Sequence, residues 1–104
     1  MASKFLKEKG YSILETNYKT HLGEIDIIAL DKDCIVFIEV KTRTDEAFGA
    51  PSEAVTLKKQ EKYYKVASEY LQRNKKLDSI CRFDVIEIMF LDEIPEIEHI
   101  KNAF

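Results

Sequence analysis

Asp26, Glu39 and Lys41 are charged residues inside stretches that otherwise read as core. Residues 23–43 run G-E-I-D-I-I-A-L-D-K-D-C-I-V-F-I-E-V-K-T-R, two apolar strands joined by a charged turn. Strands that are apolar on both faces read as buried. An isolated buried charge is costly, so it is paired or it holds a metal. Two converging carboxylates can share a divalent cation, with metal–oxygen distances of roughly 2.0–2.1 Å for magnesium.

The elements that position these residues follow from strand geometry. Side chains alternate faces along a strand, and directly opposed residues of a hairpin have Cβ atoms about 5 Å apart. With Lys32 and Asp33 as the turn, Asp31 opposes Cys34. Counting back sets Asp26 against Glu39 and Glu24 against Lys41. A three-residue turn would put the two carboxylates on opposite faces unless a bulge intervened. The even register is the expected one, and it gathers Asp26, Glu39 and Lys41 into one cluster.

Around the hairpin, Ala2 to Lys9 reads as a short helix with Phe5 and Leu6 inward, ended by Gly10. Tyr11 to Tyr18 reads as a strand. Thr44 to Ser52, with Gly49 and Pro51, reads as a loop of the kind that carries function beside a rigid sheet. Thr56 can cap a helix running to Asn74, with Leu57, Gln60, Tyr63, Tyr64, Ala67, Tyr70 and Leu71 as its inward stripe. Ile80 to Phe90 reads as a strand, apolar apart from Arg82, Asp84 and Glu87, and Ile97 to Ile100 as a short last strand. The order α-β-β-β-α-β-β predicts an α/β fold, a mixed β-sheet flanked by helices. The 104 residues suit one domain.

Composition narrows the function classes. No apolar run approaches the roughly 20 residues of a membrane span, and the N-terminus does not read as a signal peptide. Cys34 and Cys81 read as buried reduced thiols of a cytoplasmic protein. Neither they nor His21 and His99 have zinc-ligand spacing, and both histidines read as surface residues. The net charge of −3 does not advertise a partner, but its distribution does. Residues 56–76 carry 7 basic and 2 acidic groups, whereas residues 77–104 carry 2 basic and 7 acidic. Such a basic segment, with Lys58, Lys59, Lys62 and Lys65, suits a polyanion. It also suits a solvated helix face.

The pattern of Asp26, twelve intervening residues, then Glu39-Val40-Lys41 resembles the PD-(D/E)XK nuclease superfamily, the restriction-endonuclease-like fold. Gln60 and Tyr64 match the Q-x-x-x-Y helix motif of its RecB-like members. Within that superfamily the chain resembles the YraN family of uncharacterised bacterial proteins, related to archaeal Holliday-junction resolvases. The resemblance spans nearly the whole chain: K-G-Y-S-I-L-E-T-N-Y, G-E-I-D-I-I-A, F-I-E-V-K-T-R, F-G-A-P-S-E-A-V, L-K-K-Q and R-F-D-V.

That resemblance implies a metal-dependent nuclease acting on branched or single-stranded DNA. Asp26, Glu39 and the Val40 carbonyl would hold Mg²⁺ or Mn²⁺, which lowers the pKa of a bound water. Lys41 would orient that water or stabilise charge on phosphorus. Gln60 would contact phosphate or a metal-bound water, with Glu24 and Tyr64 in support. Lys58, Lys59, Lys62, Lys65 and Arg43 would bind the nucleic acid. Related resolvases are dimers, so a homodimer is implied. Relatives carry G-E-x-x-A in the first helix, and Ala2 aligns with its last alanine. The single domain of residues 1–104 is therefore expected to lack the first turns of that helix and its glutamate.

Blander readings compete. Glu39 and Lys41 could form an i, i+2 ion pair on an exposed strand, but Phe37, Ile38 and Val40 around them argue for burial. Tyr63, Tyr64 and Tyr70 read as core and rim packing. The alternative function is an inactive nucleic-acid-binding or scaffold protein on the same fold. A two-carboxylate glycoside hydrolase ranks below both, since the chain has no tryptophan and Lys41 would have no role.

Overall fold

A computed structural model of the chain describes residues 1–43, 55–90 and 93–104. The elements follow the expected order: α1 (Ala2–Glu8), β1 (Ser12–Thr20), β2 (Gly23–Asp31), β3 (Cys34–Arg43), α2 (Leu57–Arg73), β4 (Ile80–Met89) and β5 (Glu96–Ile100). The five strands form one mixed sheet in sequence order. Among the described residues only β3 and β4 run parallel, and α2 lies in the crossover between them. The loop expected over Thr44 to Ser52 lies outside the described residues, as does most of F-G-A-P-S-E-A-V. Among the described residues no helix is long and apolar enough to cross a membrane.

Local chemistry accounts for the element ends. Gly10 takes φ +94 just after α1. Its N–H donates to the Lys7 carbonyl and the Tyr11 N–H to the Leu6 carbonyl, both at 3.0 Å, which closes the helix as a Schellman motif. The Thr56 hydroxyl accepts the Lys59 N–H at 3.2 Å, capping α2 as the sequence predicts.

The sheet separates two apolar clusters. On one side α1 places Ala2 and Leu6 over Ile27, Ala29, Val36, Ile38, Ile86 and Ile88. On the other α2 places Tyr63, Val66, Ala67 and Tyr70 over Ile25, Ile28, Ile35 and Phe37. Burial on both faces explains why residues 35–38 of the central strand are uniformly apolar.

The inward stripe of α2 differs from the expected one. Leu57 is 77% exposed and Tyr64 is 41% exposed, while Val66 is fully buried. Leu57 stands six residues before Tyr63, about 120° round the helix, so both cannot face the sheet. Tyr63, Val66, Ala67 and Tyr70 hold the true three-and-four spacing. His99 also departs from expectation. Its side chain is only 3% exposed, because its Nε2 lies 2.7 Å from the wholly buried Asp84 carboxylate. His21 is exposed, and Cys34 and Cys81 are half-buried free thiols.

Candidate functional site

The hairpin adopts the even register. Asp31 pairs with Cys34, Leu30 with Ile35, Ala29 with Val36, Ile28 with Phe37 and Ile27 with Ile38. The ladder stops there, one pair short of Asp26 and Glu39. Ile25 and Ile28 both pack under α2, while Ile27 and Ala29 pack under α1. Strict alternation would put Ile25 with Ile27. The pleat therefore breaks at Asp26. Across β1 the register passes from Thr16–Ile27 to Tyr18–Ile25, and Asn17 between them takes φ 50.

This break gives Asp26 its place. Its Oδ2 accepts the Val40 N–H at 2.8 Å, so a carboxylate supplies the acceptor where the β2 backbone has left the ladder. Asp26 lines hollows on both sides of the sheet. One, of about 490 Å³, is bounded by Met1–Ser3, Thr16, Asn17, Ile27, Val40 and Ile88. The other, of about 230 Å³, is bounded by Gly23, Glu24, Glu39, Lys59, Lys62 and Tyr63.

Glu39 lies in that second hollow, only 5% exposed. The Tyr63 hydroxyl donates to its Oε1 at 2.6 Å, and the Lys59 ammonium forms an ion pair with its Oε2. Burial first, then the Glu39 acceptor, pushes the Tyr63 phenol well above its usual value, so it stays a donor. Burial also pushes the Asp26 carboxyl up; the Val40 N–H partly offsets this, and the Glu39 and Glu24 charges add to it. Two neighbouring carboxylates whose charges repel form a place where a cation is favoured.

The remaining candidates are placed as follows. Lys41 is half-buried, registered beside Glu87 of β4, and shares the Glu39 side of β3. Val40 gives its N–H to Asp26. Gln60 donates to the Val55 carbonyl at 2.8 Å, tying down the start of α2. Tyr64 packs edge-on to Phe83 at 4.8 Å, on the rim. Glu24 is exposed, 3.9 Å from Lys19 of β1. Arg43 donates to Glu87 Oε2 at 3.2 Å. Lys58, Lys59 and Lys62 line a common hollow with Thr56, and Lys65 lies near Tyr64 and Leu22.

Sequence reasoning missed the direct partners of Glu39. Lys59 and Tyr63 are four residues apart, hence on one helix face. That spacing is the signal that could have paired them with Glu39. Glu87, 1% exposed, has an Oε1 without a hydrogen-bond partner among the described residues.

The donor set can be tested against a metal. Among the described residues no group of three or more His, Cys, Asp or Glu side chains is placed to hold one ion. Two carboxylates alone still suit magnesium, which takes one or two of them and completes its shell with water and phosphate oxygens. The residues present fit a hard, oxygen-seeking cation.

Fold and site together define an α/β protein whose mixed sheet brings Asp26 of β2 and Glu39 of β3 into one hollow beside α2. The chain belongs to the uncharacterised protein family UPF0102, whose model matches residues 1–88, in keeping with the YraN resemblance. The UPF0102 protein of Alkaliphilus oremlandii is 52% identical over 106 residues, covering 100% of this chain and 91% of that relative. That of Geobacter metallireducens is 48% identical over 104 residues, covering 100% of this chain and 85% of the relative. That of Caldanaerobacter subterraneus is 48% identical over 107 residues, covering 100% and 88%.

Proposed function

We propose that this protein is a metal-dependent phosphodiesterase that hydrolyses DNA, with branched or single-stranded DNA as the substrate class. The observation that carries this reading is the meeting of Asp26 and buried Glu39 in one hollow, at the point where the β2 pleat breaks. A strand that needed only stability would keep its ladder and its apolar pattern there.

Asp26, Glu39 and the Val40 carbonyl would hold Mg²⁺ or Mn²⁺. Such an ion supplies Lewis acidity toward a phosphate oxygen and a water activated for attack. The chain's own groups do the rest. Tyr63 fixes Glu39 through Oε1. Val40 fixes Asp26 through Oδ2. Lys41, on the Glu39 side of the same strand, stabilises charge on the phosphoryl group. Lys58 and Lys62, on the adjoining hollow, draw in the phosphate backbone.

One observation favours a second reading. The Lys59 ammonium already neutralises Glu39 without any metal. A protein that binds nucleic acid through α2 and does no chemistry would look the same. Assays with Mn²⁺ on single-stranded, duplex and four-way-junction DNA separate the two. Cleavage that disappears in Asp26→Asn and in Lys41→Ala supports the phosphodiesterase. Cleavage retained in both variants refutes these roles. Salt-sensitive binding without turnover selects the second reading.

A further inference from the structure

The two oxygens of Glu39 are held differently. Oε1 accepts from Tyr63, whose ring is 2% exposed and packed against Phe104 at 5.4 Å. Leaving that contact would require opening the cluster under α2. Oε2 meets Lys59, whose side chain is 49% exposed. A lysine ammonium on a flexible stem can swing away into water at small cost. Glu39 thus has one permanent partner and one exchangeable partner.

The exchangeable partner occupies the place of a cation. Asp26 and Glu39 line the hollow into which Lys59 reaches, and Glu24 adds a further negative charge at its edge. Lys62 of the same helix borders it too. Lys59 therefore sits where a metal shared by the two carboxylates would have to settle.

We infer that Lys59 is a built-in counter-ion for the metal site: its ammonium holds Glu39 Oε2 until a divalent cation displaces it, and Tyr63 keeps Glu39 in position throughout. This inference rests on the metal-site reading above and adds its regulation. Displacement also changes the outer surface. The released ammonium joins Lys58 and Lys62 beside the hollow that all three line with Thr56. Cation loading and phosphate-backbone affinity are then linked, and by linkage each strengthens the other.

Calorimetric titration of the full chain with Mn²⁺ alone tests this. Lys59→Gln removes the competitor, so Mn²⁺ binds it about two- to fivefold more tightly than wild type, the scale of a partly exposed ion pair. Lys59→Arg keeps the charge and binds no more tightly than wild type. Lys58→Gln loses the same charge one residue away, outside the Glu39 ion pair, and changes affinity less than twofold. Tyr63→Phe binds more weakly, because Glu39 is no longer held. Glu39→Gln loses binding. Equal affinity in wild type and Lys59→Gln, or a gain as large in Lys58→Gln, overturns the counter-ion inference while leaving the metal site standing. Absence of Mn²⁺ binding in both wild type and Lys59→Gln overturns the inference together with the metal-site reading.

Discussion

Replacing Tyr63 by phenylalanine removes one hydroxyl and leaves the ring in place. The ring keeps its contacts with Phe104 and the apolar cluster under α2. What is lost is the 2.6 Å donation to Glu39 Oε1. Hydrogen bonds to ionised groups contribute roughly 1.5–3 kcal/mol, at the upper end when the partner stays buried and unsatisfied. Glu39 is 5% exposed, so water does not readily replace the phenol. Lys59 still neutralises Oε2, which argues against the extreme of the range. The expected loss is about 2 kcal/mol, equivalent to a fall in Tm of roughly 8 °C for a domain of this size. Urea unfolding of wild type and variant measures it, with the m-value unchanged because the exposed area is the same. A loss below about 0.5 kcal/mol would refute the claim that this bond fixes Glu39 in the core.

Other substitutions probe the two charged clusters. Asp26→Asn keeps an acceptor for Val40 but cannot ionise, so it raises the urea midpoint at pH 7 while abolishing Mn²⁺ binding. The sign follows from burial and from the Glu39 charge, which hold the folded Asp26 pKa above its unfolded value. Ionising it costs stability increasingly as pH rises from the unfolded pKa through the folded one, so the variant's advantage is full above that window and fades below it. Asp84→Asn breaks the buried pair with Arg82, costing about 3 kcal/mol in chemical denaturation, since Arg82 keeps Asp31. Burial pushes Asp84 up, but His99, Arg82 and the Asn102 N–H outweigh it and hold the carboxyl below its ordinary value. Its stabilising share is therefore present above the unfolded pKa and lost as pH falls through the lower folded pKa, so the wild-type advantage over Asp84→Asn shrinks in acid.

Much of this arrangement was legible in the sequence because local rules governed it. The turn at Lys32 and Asp33 and the run of apolar residues on either side fixed the hairpin register, Asp31 against Cys34. Thr56 and Gly10 announced the helix ends they form. What escaped depended on distant contacts. Regular alternation could not foretell that β2 breaks its pleat at Asp26, across from Asn17 of β1, whose backbone takes φ 50. The apolar stripe expected on α2 counted Leu57 and Tyr64 as inward and left out Val66, whereas the sheet buries Val66 and leaves those two exposed. His99 looked like a surface residue because Asp84, which draws it in, lies on another strand. Lys59 read as part of a basic face, and it becomes Glu39's partner only when α2 is laid across β3.

If Asp26 and Glu39 jointly hold a cation for DNA hydrolysis, cleavage depends on both the metal and Glu39. Labelled four-way-junction and single-stranded DNA are incubated with wild type and Glu39→Gln, each with Mn²⁺ and with EDTA. Nicked or shortened strands are expected only with wild type and Mn²⁺. Equal cleavage by the glutamine variant, or intact DNA in every lane, would refute joint cation binding for hydrolysis.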